Sequence, residues 1–397
     1  MQVHFMTCGK WSRRWVDTGR TSDRIFIKKH KRLNMNVVWK ISSLGLRGFY
    51  AGSLIGGTKI AAENTSAIAD GTIRPAQNAA TKREGKPGPV LPAPTASNVA
   101  YGPHPKQVLD FWRSPKAQGL TPVVFYIHGG GWRGGDRSHV SAILKPLLAA
   151  GVSVVSISYR FIPEADAEHV EPPVMAPMRD AARALQLVRS KAAEWQIDKT
   201  RIAAAGFSAG ACTSLWLAFH DDMADPKSED PVARESTRLL GAAVGGAQTS
   251  LDPTQMQEWI PNIGYGGHAF GYSTFAAFLS GREKILPWIN EYSPYALVTP
   301  DDPPIHLWYR RAPALGQNQQ DPTHSANFGV KLKEKLDEKG VRCELVHAEV
   351  QDAPHPSSVD FLLSLLFEDE VIGQRPQYGA QGSERFAFLR EARPLPY

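Results

Sequence analysis

Cysteine is scarce in this chain: its 397 residues contain only three, Cys8, Cys212 and Cys343. Three scattered cysteines are too few for a disulfide framework, and they lack the paired spacing of a zinc site, so both classes are excluded. Cys212 falls in a segment with a helical pattern, where we expect a buried, small apolar side chain rather than a redox group. The cysteines leave the compartment of the protein open.

Long apolar runs and internal repeats are also missing. No stretch reaches the ~18 uninterrupted apolar residues of a membrane span, so no integral membrane segment is predicted. The absence of a sequence repeat excludes a propeller or solenoid. The 42% of hydrophobic residues and ten tryptophans are nevertheless ample for a sizeable folded core.

The positive charge is confined to one end of the chain. The net charge is +6, but the first 34 residues carry nine Lys or Arg against two Asp, a balance of +7. The remaining 363 residues therefore sum to −1. Because a nucleic-acid-binding face would need basic residues within the folded part, nucleic acid is excluded as a partner.

The leader, residues 1–69, has two interpretations. After Met35, Lys40 and Arg47 precede a mildly apolar stretch, and residues 67–69 (Ala-Ile-Ala) fit a small-residue cleavage site. This pattern is that of a weak export signal, which would make the protein periplasmic or secreted. The alternative is a leader without a targeting role on a cytoplasmic protein.

Short apolar runs alternate with amphipathic segments in the body of the chain. Residues 70–97 are rich in Pro, Ala and Gly and are predicted to be a linker, so the folded domain is expected over 98–370, followed by a tail at 371–397. The predicted strands are PVVFYIH (122–128), VSVVSIS (152–158), RIAAAGF (201–207), LLGAAVGGA (239–247), PIHLWY (304–309) and RCELVHAEV (342–350). Helical patterns separate them, so we predict an α/β fold with a mostly parallel central sheet and helices on both faces.

The segment at about 252–295 interrupts this alternation. It is long and dense in aromatic residues and glycine. Long loops in compact domains tend to be functional, so we expect a lid-like insertion or a wall of the substrate pocket. A segment that only covers a sheet edge is the alternative.

Two glycine-rich motifs follow two of the predicted strands. The sequence GFSAG places Ser208 between two glycines, after one strand and before a helical pattern. The sequence HGGGW follows another strand, and its glycines would leave backbone N–H groups free to face a ligand. Ligands bind at the carboxyl ends of parallel strands, and acyl transfer needs N–H donors for the oxyanion that develops there. The pair predicts a nucleophilic serine beside an oxyanion hole.

With these motifs, the segments SISYRFIPEA and RDAARALQLVR resemble the α/β-hydrolase fold. More narrowly, residues 98–370 resemble hormone-sensitive-lipase-like bacterial esterases and the related acetyl-xylan and feruloyl-type esterases. The resemblance implies that Ser208 is the nucleophile. It also implies an oxyanion hole made by the N–H groups of Gly130, Gly131 and Ala209. His128 and Asp136 would be structural supports of the glycine loop.

The other two triad members should follow Ser208 in the order acid, then histidine, each after a late strand. Asp321 lies after PIHLWY, and His355 lies after RCELVHAEV, so these two complete the predicted triad. His324 is interpreted as part of a helix start and His347 as part of the last strand. The flanking prolines of His355 and the long loop before Asp321 depart from the family pattern.

The resulting hypothesis is a cofactor-independent serine carboxylesterase that acts on short-chain acyl or aryl esters, acylated carbohydrate among them, without a metal. Its partner would be a small-molecule ester. Two alternatives stay open: an arylformamidase or amidase with the same triad, and a catalytically silent binding module on this fold. The sequence does not indicate an oligomeric state.

Overall fold

Eight strands form one sheet in the computed structural model, which describes residues 91–373, with side chains described through residue 367. The strands are β1 (Ala96–Ala100), β2 (Val108–Trp112), β3 (Thr121–Ile127), β4 (Ser153–Ile157), β5 (Ile197–Phe207), β6 (Ala242–Gly245), β7 (Ile305–Trp308) and β8 (Cys343–Val346). Their order across the sheet is β1-β2-β4-β3-β5-β6-β7-β8. β2 is antiparallel to both of its neighbours, and every other pair is parallel.

Eleven α-helices accompany the sheet within the same residues. They are α1 (Ser141–Ala149), α2 (Ile162–Ala167), α3 (Met175–Ser190), α4 (Ala192–Trp195), α5 (Ala209–Phe219), α6 (Pro253–Trp259), α7 (Phe275–Ser280), α8 (Arg282–Tyr292), α9 (Pro294–Leu297), α10 (Ala326–Glu338) and α11 (Ser358–Gly373). Two separate clusters of buried apolar side chains line the two faces of the sheet, one of them formed with α3 and α5 and the other with α1 and α11. The predicted α/β class is confirmed.

All six predicted strands are present, and two more precede them. β1 and β2 were not predicted, and β1 begins at Ala96, inside the expected linker over 70–97. β8 ends at Val346, so His347 lies after the strand and not in it as predicted. The leader over 1–69 and the tail beyond residue 373 lie outside the described residues.

The central strands are apolar on both sides because helices cover both sides of the sheet. All five residues of β4 are buried, as are six of the seven in β3. Such strands appear in the sequence as continuous β-branched runs, which is why they were predicted correctly. The carboxyl ends of β3, β5, β6 and β7 meet at one edge of the sheet, in the register that pairs Phe207 with Gly245 and Gly245 with Trp308.

The segment predicted as an insertion folds into four short helices, α6 to α9, and a 3-10 turn, Gly267–Phe270. Trp216 of α5 donates its indole N–H to the carbonyl oxygen of Glu291 in α8, at 2.9 Å. The insertion therefore packs on α5, the helix that follows Ser208.

No helix among residues 91–373 combines the length and the apolarity needed to cross a bilayer. Both described cysteines, Cys212 and Cys343, are buried and form no disulfide. Burial raises the pKa of both thiols, that of Cys343 to about 12. The expectation of a buried Cys212 is confirmed.

A buried carboxylate ties α3 to the end of β4. Asp180 is 1% exposed, and its oxygens accept hydrogen bonds from the backbone N–H and the guanidinium of Arg160 at 2.6–3.2 Å. The side chain of Gln107 donates a further bond at 2.7 Å. The carboxylate raises the pKa of the Arg160 guanidinium, so the pair stays charged.

Replacing Asp180 by Ala should destabilise the fold strongly, because it removes the buried acceptor of the Gln107 amide and of the Arg160 N–H groups and leaves the guanidinium only its more exposed partner Glu168. Breaking a buried pair from one side costs about 3–5 kcal/mol, which denaturant unfolding would measure as a lower midpoint. Lys333→Ala is the control, since it removes only an exposed helical pair with Asp337 and should cost about 0.5 kcal/mol or less. Equal losses for the two variants would contradict this assignment.

Candidate active site

Ser208 lies on a sharp turn between β5 and α5. Its backbone adopts φ 54° and ψ −123°, a conformation that costs a non-glycine residue about 1–3 kcal/mol. The turn is held on both sides, because the Ser208 N–H donates to the Gly245 carbonyl at 3.0 Å and the Ser208 carbonyl accepts from the Cys212 N–H at 2.9 Å. The hydroxyl is thereby presented at the carboxyl edge of the sheet, with the residue 8% exposed.

Gly210 allows this turn to form. A β-carbon at Gly210 would overlap the carbonyl oxygen of Ile127 at the end of β3. Any larger residue would push α5 away from the sheet. The glycine in the predicted motif is therefore explained by close packing of helix against strand.

His324 provides the hydrogen-bond partner of the serine. Its Nε2 lies 3.0 Å from Ser208 Oγ, and its Nδ1 lies 2.9 Å from Asp321 Oδ2. Because an ionised carboxylate only accepts hydrogen bonds, Nδ1 carries the proton, which leaves Nε2 free to accept the hydroxyl proton of Ser208. The structure thus aligns a carboxylate, an imidazole and a hydroxyl in one chain of hydrogen bonds.

Local structure explains how Asp321 and His324 come to face each other. Asp321 caps the short 3-10 helix Pro322–His324, and its Oδ1 accepts the backbone N–H of His324 at 3.3 Å. The imidazole stacks on Phe207, with ring centroids 5.4 Å apart. Gln248 anchors the same turn by donating to the Thr323 carbonyl at 2.7 Å. The imidazole is fixed by a cap, a ring contact and a backbone tether.

The structure does not bring His355, the predicted proton acceptor, to Ser208; His324 lies there instead. His355 Nδ1 lies 2.9 Å from Glu344 Oε2, and its carbonyl oxygen accepts a hydrogen bond from His306 Nε2 at 3.0 Å. Glu344 and His306 are the second residues of β8 and β7, whereas Ser208 follows the last residue of β5. The segment after β8 has folded back toward α11, where Phe361 packs edge-on against the His355 ring.

His324 was expected at a helix start, and it does lie in the 3-10 helix. The sequence analysis did not predict its contact with Ser208. The signal available in the sequence was the spacing: an Asp and a His three residues apart, both after the strand that ends at the site edge. Only the turn geometry shows that this spacing lets the two side chains meet.

Three backbone N–H groups were predicted to face the oxyanion, those of Gly130, Gly131 and Ala209. None of the three has a hydrogen-bond acceptor among the residues that the structure describes. Ala209 is the first residue of α5, so its N–H is one of the unpaired donors of a helix start. Gly129 packs against the serine, since a β-carbon there would lie 3.3 Å from the Ser208 Cβ. The glycine loop and the serine turn are therefore adjacent.

Of the two predicted supports of the glycine loop, His128 contacts the loop directly and Asp136 caps the turn that follows it. His128 is fully buried, stacks on Tyr159 at 4.3 Å and lies 2.7 Å through Nδ1 from the Gly129 carbonyl oxygen. Burial lowers its pKa to about 4, so the ring is neutral at pH 7 and Nδ1–H is the donor. Asp136 caps the turn that follows, where its Oδ1 accepts the Ser138 N–H at 2.9 Å.

The insertion contacts the glycine loop through His268. His268 Nε2 donates to the Gly131 carbonyl oxygen at 3.0 Å, and burial lowers the pKa of this imidazole to about 4. Tyr265 and His268 both pack against Trp132, with ring centroids 6.4 and 6.0 Å away. A segment that contacts this loop belongs to the surroundings of Ser208 and does not merely cover a sheet edge.

Sheet order, serine turn and glycine loop together define an α/β-hydrolase, as the sequence resemblance implied. A family model described as BD-FAE matches residues 109–325, more than half of the 397 residues. The chain belongs to the BD-FAE family.

Curated relatives match over shorter stretches. The carboxylesterase NlhH of Mycobacterium tuberculosis H37Rv is 39% identical over 109 residues, 27% of this chain and 32% of that protein. The probable isoprenylcysteine alpha-carbonyl methylesterase ICMEL2 of Arabidopsis thaliana is 28% identical over 132 residues, 33% of this chain and 30% of that protein. The chain thus spans about a third of the length of these relatives.

Among solved structures, the chain is similar to a bifunctional GH43-CE protein of Bacteroides eggerthii. The TM-score is 0.50 and the identity 18%, over 68% of this chain and 38% of that one. At this identity the likeness concerns the fold alone.

Two neighbouring glycines of the loop should respond differently to alanine. Gly135 has φ +106°, and a β-carbon there would overlap the His128 ring, whereas a β-carbon at Gly134 would have no heavy atom within 4 Å. We expect Gly135→Ala to cost more than about 2 kcal/mol of unfolding free energy and Gly134→Ala less than about 0.5 kcal/mol. Denaturant unfolding of both variants tests this, and similar costs would contradict the packing of His128 under the loop.

Proposed function

We propose that the protein is a serine carboxylesterase with Ser208 as nucleophile, His324 as general base and Asp321 as the group that orients the imidazole. The observation that carries the proposal is the pair of contacts of His324, 3.0 Å to Ser208 Oγ and 2.9 Å to Asp321 Oδ2. Such a chain of hydrogen bonds activates a hydroxyl that is otherwise a weak nucleophile at neutral pH. Membership in the BD-FAE family and the names of the matched relatives support the same reaction class.

The reaction would proceed in two steps through an acyl-enzyme. His324 Nε2 takes the Ser208 proton as Oγ attacks the ester carbonyl, and the imidazolium that forms is stabilised by Asp321. The imidazolium then protonates the departing alcohol, which leaves the acyl group on Oγ. A water molecule repeats the sequence, with His324 again as base, and releases the carboxylic acid and the free serine.

The carbonyl oxygen becomes negative in each tetrahedral intermediate. The N–H groups of Gly130, Gly131 and Ala209 are the proposed donors to it, because they lie beside the serine turn and have no acceptor among the described residues. Removing one such donor in comparable sites costs about 3–4 kcal/mol of transition-state stabilisation. His128 and Asp136 act indirectly in this proposal, by fixing the loop that carries two of the three donors.

The proposed substrates are short-chain acyl or aryl esters, with acylated saccharides as one class to assay. The partly exposed ring of Tyr265, which packs on the buried Trp132 next to the glycine loop, supports a compact aryl or acyl group at this position. No contact among residues 91–367 favours an amide over an ester. Anilide substrates matched to the esters would detect an amidase.

Turnover of nitrophenyl acetate, butyrate and decanoate by the full chain tests the proposal. We expect hydrolysis, fastest for the short chains, and its loss in Ser208→Ala by about 10³-fold or more in kcat. Wild-type turnover of esters and matched anilides no faster than that of Ser208→Ala would contradict the proposal. It would favour the catalytically silent module.

The two histidines that compete for the role of base can be separated directly. His324→Ala should lower kcat by about 10³-fold or more, because it removes the proton acceptor of Ser208. His355→Ala should leave kcat within about two-fold and lower stability, since the contacts of His355 are with Glu344 and His306. Kinetics and thermal unfolding of both variants check this. Loss of activity in His355→Ala, with activity kept in His324→Ala, would contradict the assignment.

A further inference from the structure

The end of β6 contacts both the serine and its partner histidine. The carbonyl oxygen of Gly245 accepts the Ser208 N–H at 3.0 Å. A β-carbon on the next residue, Gly246, would lie 3.2 Å from Cδ2 of the His324 ring. Two members of the proposed hydrogen-bond chain therefore contact neighbouring residues of one strand end. A bond that ties the turn of His324 to this strand end also fixes its distance from Ser208.

Burial does not fix the turn that carries His324. Its 3-10 helix, Pro322–His324, contains no buried residue, and the side chain of Asp321, which caps it, is 50% exposed. Both bonds of Asp321 to His324 lie within the turn itself. Stacking on Phe207 adds a ring contact but no directional bond. The position of the turn relative to Ser208 therefore depends on a bond from the folded body.

Gln248 supplies that bond. Its side chain is fully buried, and Nε2 donates to the carbonyl oxygen of Thr323 at 2.7 Å and to that of Gly246 at 3.1 Å. Because both partners are carbonyl oxygens, the amide faces them with its NH2 group and not with Oε1. One amide group thus links the strand end beside Ser208 to the residue before His324.

Asn327 is a second fully buried amide in this region, and its contacts are different. Its side chain bonds the backbone of Ala314 in both directions and donates to the Trp259 carbonyl oxygen. It therefore holds the long loop before Asp321 and the end of α6, but no residue of the 3-10 helix. Gln248 is the amide that bonds the catalytic turn.

We propose that Gln248 is a positioning residue that sets the distance between His324 Nε2 and Ser208 Oγ. The role rests on the proposed esterase function, and Gln248 acts through His324 and not on the substrate. Proton transfer needs the two atoms within hydrogen-bonding distance, and they are 3.0 Å apart. Misplacing a catalytic group by about 1 Å lowers a rate by up to about 100-fold.

Gln248→Met tests this role, because it keeps the length of the side chain and removes the NH2 group. We expect kcat for nitrophenyl acetate to fall about 10–100-fold. KM should change less than about two-fold, since His324 serves proton transfer and not ground-state binding. Both are measured well below the thermal midpoint of the variant, so that the protein is folded during the assay.

Gln186→Met is the matched control. The Gln186 amide is buried too, and its Nε2 donates at 2.9–3.3 Å to the carbonyl oxygens of Met223, Ala233 and Glu235. These carbonyls lie between α5 and β6 in the chain, and none belongs to the serine turn, the glycine loop or the 3-10 helix. We expect this variant to have a lower thermal midpoint and a kcat within about two-fold of wild type.

Gln248→Glu gives a readout that loss of stability alone does not produce. The introduced carboxyl donates a hydrogen bond when it is protonated, whereas its ionised form would face two carbonyl oxygens without a donor. Burial raises the pKa of such a carboxyl, so the bonded form is present at lower pH and is lost as pH rises through that pKa. We expect the ratio of its kcat to that of wild type to fall about 10-fold or more over this rise. Circular dichroism at each pH checks that the variant stays folded.

Four results would overturn the role of Gln248. They are an unchanged kcat in Gln248→Met, a rise in its KM alone, equal losses of kcat in Gln248→Met and Gln186→Met, and a rate ratio of folded Gln248→Glu that does not change with pH. If Gln248→Met does not fold, the pH dependence of Gln248→Glu decides. A wild type no faster than Ser208→Ala would instead overturn the proposed function itself.

Discussion

The strained backbone of Ser208 is the constraint on which the site depends. The residue keeps φ 54° and ψ −123° because β5 ends, and α5 begins, against the end of β3. This close approach tolerates no side chain at Gly210, and it places the serine hydroxyl beyond the sheet edge. The packing of two buried strands and one helix thus offsets the local strain, and the glycine loop after β3 is brought beside the serine by the same contact.

Around that fixed hydroxyl, the partner histidine is supplied by the turn after β7 and not by the segment after β8. Asp321 both caps the 3-10 helix and bonds the imidazole it carries, so one short turn orients His324. The alternative histidine, His355, already has a partner in Glu344, whose carboxylate pKa is lowered, in spite of partial burial, by its hydrogen bonds with His355 and Arg342. The two histidines therefore occupy separate electrostatic environments, one at the serine and one against α11.

The fold was predictable because buried strands and amphipathic helices leave strong periodic patterns in the sequence. β1 and β2 were not predicted because neither is a continuous buried apolar run: β1 has no buried residue and begins in a stretch whose composition resembles a linker, and β2 alternates between buried and partly exposed residues at its start. Ser208, Asp321 and the glycine loop were predicted from motifs and strand ends. The contact of His324 with Ser208 was not, because it depends on where a turn places one imidazole, and no sequence period encodes such a contact.

A crystal structure of the protein phosphonylated on Ser208 at neutral pH would test most directly which histidine serves the nucleophile. The account predicts that His324 Nε2 stays within hydrogen-bonding distance of Ser208 Oγ or of the phosphonyl group, with Asp321 on Nδ1 and His355 still paired with Glu344. An adduct in which His355 has left Glu344 to contact Ser208, with His324 turned away, would contradict it.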